Sequence, residues 1–223
     1  MKPRLVQGLG AVGLVLALVG GFRVLRTFAF FRVRRVELVG ARYLTAAGVA
    51  RALAIAPGRS VFDGTDPLRE RVRGMLGVVE ARVARRLPGT IRVTIREAEP
   101  VALAHRGGRL VLVDAAGRVL PFDPTRPAAD LPLAEADSAL AGLLARVREV
   151  EPALYGRIER AVRVPPDVAI EVEAGRILFR SGASSAEIRD ASLVADLLAR
   201  QGRRWRELDA RFLPHVVIRG ASA

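Results

Sequence analysis

The chain has 223 residues, 36 of them basic and 23 acidic, for a net charge of +13. It contains no cysteine, which excludes a disulfide framework, a thiolate metal site and a cysteine nucleophile. All basic residues but Lys2 are arginine, and they run from Arg4 to Arg219, often beside Asp or Glu. A nucleic-acid binder concentrates its charge on one face or stripe, so this spread reads as a solvated basic surface. The two histidines, His105 and His215, lie far apart and read as strand residues rather than ligands.

Leu5 to Phe22 carries no charge. These eighteen residues span roughly 27 Å as a helix, close to the thickness of a bilayer's hydrocarbon core. No second run of this kind follows, so the sequence predicts a single N-terminal transmembrane helix. A cleaved signal peptide has a shorter apolar region and a small-x-small exit; here the run gives way to Arg23, Val24, Leu25 and Arg26. Gly8, Gly10 and Gly13 match G-x-G-x-x-G, but that fingerprint needs a strand before it and an amphipathic helix after it. Gly13, Ala17 and Gly21 fall four apart, a small-residue stripe on which another membrane helix can pack. The plain alternative is that glycine is common in membrane helices, and the sequence does not choose between the two. The flanking charges conflict with an exported domain. Lys2 and Arg4 precede the run, whereas Arg23, Arg26, Arg32, Arg34 and Arg35 follow it, and a positive-inside count places the large part in the cytoplasm. Arg32, Arg34 and Arg35 also suit anionic lipid headgroups.

Beyond the run, residues 33–40 read as a strand closed by Gly40. Thr45 caps a helix to about Ala54, with Val49 and Leu53 inward. Asp66 then Pro67 marks a second helix start, with Leu68, Val72, Met75 and Leu76 as its apolar stripe. Val79, Ala81 and Val83 alternate with charges as a half-buried strand, and Ile91, Val93 and Ile95 form the return strand. The order is β-α-α-β-β. Short strands follow near 101–105, 109–114 and 118–122, then a Pro- and Asp-rich loop over 123–134. A helix covers about 135–150, strands fall near 158–164, 168–173 and 176–180, and a helix runs from Ser184 or Ser185 to about Gln201. Two last strands lie near 206–212 and 215–219. The second half is thus an α+β domain on an antiparallel sheet.

Several stretches resemble one family. Arg35-Val-Glu-Leu-Val-Gly40, the hairpin from Val79 through Pro88 to Val93, Glu97-Ala-Glu-Pro100-Val-Ala102, Leu112-Val-Asp114-Ala-Ala-Gly117-Arg-Val119 and Leu208-Asp209-Ala-Arg211-Phe212 occur in the order found in the FtsQ/DivIB cell-division proteins. Leu87 and Ala98 depart from the pattern, standing where that family often has tryptophan and arginine. The resemblance implies a short cytoplasmic tail, membrane helix and juxtamembrane segment over 1–32, a POTRA domain over 33–98 and a C-terminal β domain over 99–223. It also implies an inner-membrane protein at the division septum, N-terminus in the cytoplasm and bulk outside it. Such a protein links early and late division proteins.

No hydroxyl, imidazole or carboxylate set has catalytic spacing, and Asp63 and Asp66 read as loop and helix-cap residues. No enzyme activity, cofactor, small-molecule substrate or nucleic-acid partner is expected. Function by binding is expected instead, at the edge of the last strand pair, where unpaired N–H and C=O groups accept an added strand. The resemblance names FtsB, which travels with FtsL, as the partner. The candidate residues are Arg211, to face an acidic group, Phe212 as an apolar anchor, Leu213, and either Val216 with Ile218 or, on the opposite face, Val217 beside the added strand, the sequence not deciding which face is buried. Two other classes compete. One is a POTRA-bearing translocation or envelope-assembly component, which predicts tandem POTRA units or a β-barrel. The other is a membrane-attached basic module for lipid or nucleic acid, which predicts salt-sensitive binding.

Overall fold

The computed structural model describes residues 20–21, 28–125, 131–212 and 215–220. Among them no helix is long and apolar enough to cross a membrane. The run Leu5–Phe22 lies outside the described residues except for Gly20 and Gly21, which are helical and exposed. The chain divides into two compact units, Met1–Glu97 and Ala98–Ala223.

In the first unit, β1 (Arg35–Val39), α1 (Ala46–Leu53), α2 (Asp66–Arg73), β2 (Val78–Arg86) and β3 (Thr90–Glu97) follow the expected β-α-α-β-β order. The sheet order is β1-β3-β2, with β1 parallel and β2 antiparallel to β3. Alternation on β3 drives Ile91, Val93 and Ile95 onto Val49, Leu53, Leu68 and Val72 of the helices, all essentially without solvent exposure. The Thr45 hydroxyl accepts from the Gly48 N–H at 3.1 Å, capping α1 as its sequence predicts. At the other end of that helix, Arg71 donates to the carbonyls of Leu53 and Ala54, satisfying terminal acceptors with a cation.

Three local expectations shift. Asp66 is the first helical residue rather than the cap, and its carboxylate meets Arg69 at 3.0 Å. Leu76 lies past the end of α2 and is 75% exposed. Val79 is exposed because the β2–β3 register slips between Val78 and Glu80, so Val79 falls out of the alternation.

Gly40 ends β1 at φ +85°, and a Cβ there would lie 2.2 Å from the Ile95 carbonyl oxygen. Gly40→Ala is therefore expected to destabilise this unit by at least about 2 kcal/mol, combining a left-handed backbone penalty with a backbone clash. Denaturant unfolding of the variant checks this, and an unchanged midpoint would refute it.

The second unit holds β4 (Pro100–Arg106), β5 (Arg109–Asp114), β6 (Val119–Leu120), β7 (Leu133–Ala134), α3 (Ser138–Val150), α4 (Pro152–Tyr155), β8 (Ile158–Val164), β9 (Asp167–Val172), β10 (Gly175–Phe179), α5 (Ser185–Arg200), β11 (Glu207–Phe212) and β12 (His215–Arg219). Its nine-stranded sheet runs β12-β11-β10-β9-β8-β7-β4-β5-β6. The expected antiparallel sheet proves mixed: β10–β11, β7–β8 and β4–β7 are parallel. The last two junctions depend on β7, a two-residue strand inside the stretch expected to be loop. It pairs through backbone alone, and so leaves no side-chain periodicity to read.

Helices α3 and α5 cover one face of this sheet. Leu140, Leu144, Val147, Ile188, Ala191 and Leu198 pack on Val168, Ile170, Ile177, Phe179 and Leu208. Asp137 caps α3, and Ser184 caps α5 in a reciprocal capping box with Glu187. The Ser184 groups hold the Glu187 carboxyl below its ordinary range, against the opposing effect of burial. Of the apolar residues on α5, Leu193 and Leu197 point outward and are exposed, since the buried stripe runs through Ile188, Ala191, Ala195 and Leu198.

The Leu112–Val119 motif is a carboxylate-centred turn. Asp114 accepts from the N–H groups of Ala116 and Arg118, and Arg118 Nε donates to its second oxygen at 2.9 Å. Burial alone would push this carboxyl up; the Arg118 guanidinium and the two N–H donors outweigh it and hold it low.

Candidate partner-binding edge

Among the described residues, β12 is the terminal strand of the large sheet and pairs only with β11. The register sets Glu207 against Arg219, Leu208 against Ile218 and Asp209 against Val217. Side chains of opposed residues share a face. Leu208 belongs to the helix-covered core, and Val216 packs against that core. Val217 therefore sits with Asp209 on the opposite, helix-free face. Val217 is 41% exposed and Ile218 37%.

The helix-free face beside this edge carries a chain of alternating charges. Arg176 of β10 meets Glu207 at 2.6 Å. Arg219 of β12 donates to the same carboxylate at 3.1 Å and reaches Asp209 at 3.6 Å. Arg211 grips both oxygens of Asp209, at 2.8 and 2.7 Å, and donates through Nη1 to Asp167 of β9 at 2.9 Å. Asp209 is wholly buried and Glu207 nearly so, so their desolvation is offset only because each meets more than one arginine. The Arg211 hydrogen bonds hold the Asp209 carboxyl below its usual range, and burial opposes this less strongly. In turn Asp209 and then Asp167 raise Arg211 further above its already high value. Both ions remain charged across the physiological range.

The structure thus gives Arg211 in-chain carboxylates, where an acidic group on a partner was expected. Its side chain is 24% exposed, whereas that of Arg219 is 58% exposed. Phe212 is 56% exposed, and the Arg211 guanidinium stands 5.5 Å from its ring centroid. The β11–β12 register shifts between Asp209 and Phe212, and such a bulge re-aims the side chains around it. Leu213, Gly13 and Ala17 lie outside the described residues, and Gly21 has open space around it.

Sequence reasoning passed over Asp209, although it stood in the quoted motif two residues before Arg211. That spacing on a strand puts both on one face, which was the available signal. Asp167 and Arg176 come from other strands and left none.

Among the described residues no group of His, Asp and Glu is placed to hold a metal ion. A cleft of about 870 Å³ lies beside α4 and β8, reaching Ala195 and Trp205; among the described residues no hydroxyl or imidazole lines it.

A three-stranded sheet in the order β1-β3-β2 with two helices on one face, joined in sequence to a unit ending in an open sheet edge, defines a POTRA-bearing protein. The family described as "POTRA domain, FtsQ-type" matches residues 31–98. The cell division protein FtsQ of Streptomyces venezuelae is 30% identical over 204 residues, covering 84% of this chain and 75% of that one. FtsQ of Rhodothermus marinus is 30% identical over 214 residues, covering 84% and 77%. FtsQ of Caulobacter vibrioides is 31% identical over 170 residues, covering 69% and 56%. The chain belongs to the FtsQ family of cell division proteins. Among solved structures, the major extracytoplasmic domain of the trans isomer of DivIB from Geobacillus stearothermophilus is similar at 17% identity and a TM-score of 0.35, covering 47% of this chain and 96% of that one.

Proposed function

We propose that this division protein is a bitopic inner-membrane scaffold. Residues 5–22 anchor it, the N-terminus is cytoplasmic, and residues 33–98 and 99–223 act outside the cytoplasm at the septum. It works by binding, with no catalytic step of its own. Its main contact is an added strand on β12, supplied by an FtsB-type partner that travels with an FtsL-type one.

The observation that carries this reading is the position of β12 at the end of the sheet order, with Phe212, Val217 and Ile218 exposed beside it. An added strand draws affinity from main-chain hydrogen bonds and specificity from alternate side chains. Phe212 provides an apolar anchor at one end of the strand. Arg219 provides an exposed cation at the other, for an acidic group on the incoming segment. Arg211 is a positioning residue, holding β9 and β11 together behind the edge.

A photo-crosslinking amino acid at position 217 of the full chain is expected to capture an FtsB-type partner in dividing cells. The same probe at Leu110, exposed on β5 near the opposite end of the sheet, is expected to capture none. Equal capture at both positions, or capture only at 110, would overturn the edge assignment. Substituting Phe212 with Ala is expected to weaken capture at 217 roughly tenfold or more, the usual cost of removing an interface anchor.

A further inference from the structure

We infer that the end of the β-α-α-β-β unit formed by the β2–β3 turn and the segment entering β1 docks on the headgroup layer of an anionic bilayer. This rests on the reading that residues 5–22 span that bilayer.

Two segments distant in sequence meet at this end. Gly89, in the turn after β2, accepts through its carbonyl from the N–H groups of Arg34 and Arg35 at 2.8 and 3.2 Å. The approach is so close that a Cβ on Gly89 would lie 2.4 Å from the Arg32 carbonyl oxygen. The entering segment is also held on its other side: Val33 N–H donates to Arg59 and Val61 N–H to Phe31, both at 2.8 Å. Leu87 lies two residues before Gly89, and Phe28 and Phe30 lie four and two residues before Arg32, so all three belong to the segments joined at this end of the unit. All three are exposed, at 64%, 55% and 59%. The same segments carry the exposed Arg32, Arg34, Arg35, Arg85 and Arg86, of which Arg85 donates to the Asp63 carbonyl.

The two carboxylates nearby, Glu37 and Asp63, are outnumbered by these five arginines. Glu37 is taken by Arg92 in a two-point contact at 2.8 and 2.9 Å, and Asp63 accepts from the Ser60 N–H. Arg34 lies 5.7 Å from the Phe30 ring centroid. Aromatic and leucine side chains among arginines are the composition of a surface that rests in the interfacial region, apolar groups below the phosphates and guanidinium groups at them. Route favours the same occupant: only residues 23–27 separate Phe28 from the apolar run. A membrane holding that run is within reach of this end.

The absence of cysteine allows single-site probes in the full chain. An environment-sensitive fluorophore would be placed in turn at Leu87→Cys, Leu76→Cys and Val15→Cys, with each protein in lipid nanodiscs containing brominated lipids. Leu76 is a matched control, an exposed leucine near the opposite end of β2. In discs containing phosphatidylglycerol, the probe at 87 is expected to be quenched and the probe at 76 not. In purely zwitterionic discs, quenching at 87 is expected to fade. Each arginine at an anionic surface shifts the docked population roughly fivefold, so replacing Arg34, Arg85 and Arg86 by Gln should lower it roughly a hundredfold. Raising salt from about 0.05 to about 0.5 M should act in the same direction without any substitution.

Equal quenching at 76 and 87, or none at 87 while Val15→Cys is quenched, overturns the docking and leaves the anchor intact. No quenching at Val15→Cys overturns the anchor reading and the docking with it.

Discussion

Glu97→Ala is expected to lower the stability of the first unit by about 3 kcal/mol, because it strands backbone donors that the carboxylate now satisfies. Glu97 ends β3 and is 8% exposed. Its Oε2 accepts from the N–H groups of Arg42 and Tyr43, both at 2.9 Å, and its Oε1 from that of Leu44 at 2.8 Å. One side chain thus pins the turn between β1 and α1 to the end of β3, the central strand of the sheet. A neutral acceptor retains part of this, so Glu97→Gln is expected to fall between wild type and the alanine variant. Denaturant unfolding measures the ranking. Amide exchange at residues 42–44 locates it, with those three N–H groups losing protection before the amides of β3. Equal stability of the alanine variant and wild type would sink the argument.

Asp209→Ala is expected to cost about 3–5 kcal/mol in the second unit, since it removes the buried anion of a paired set. Arg211 would keep Asp167 and Arg219 would keep Glu207, which places the loss toward the lower end. The effect carries a pH signature. Asp209 has a lowered carboxyl pKa in the fold, so the unfolded chain takes up its proton first as pH falls. Its stabilising contribution is complete above about pH 5 and is lost as pH drops through the folded value. Wild type should therefore lose stability faster than Asp209→Asn on acidification, the two converging at low pH. Parallel curves would show that the carboxyl is not held low. The same substitution is expected to weaken partner capture at 217, because the ion pairs fix β11 directly behind the edge strand. Arg219→Gln takes one of two arginines from each of Glu207 and Asp209, so it is expected to cost some stability as well as capture, but less than Asp209→Ala, because its side chain is more than half exposed and Arg176 and Arg211 remain.

Sequence and structure agree best where a side-chain period is long enough to read. Ile91, Val93 and Ile95 alternate on β3 and are buried as expected, and Thr45 and Ser184 cap the helices they precede. Agreement weakens where register breaks. Val79 leaves the buried face at a slip in the β2–β3 ladder, and nothing local in Val78-Val79-Glu80 marks that slip. Leu193 and Leu197 are apolar yet exposed, because the packed stripe of α5 is completed by alanines and Ser192.

The sequence by itself determined the β-α-α-β-β unit, the mixed second unit's main helices and strands, the ordered motifs of the family, and the last strand pair as the segment to watch. These depend on local periodicity, capping and turn chemistry, which are written within a few residues of one another. Only the tertiary structure decided that β7 joins two parts of one nine-stranded sheet, that Arg211 is held by Asp209 and Asp167, that Glu97 closes the β1–α1 turn, and that the turn at Gly89 meets the segment entering β1. Each of those joins residues tens of positions apart through backbone pairing or a buried charge. Which carboxylate meets which guanidinium is set by strand order and register, and strand order is a property of the folded sheet rather than of any segment in it.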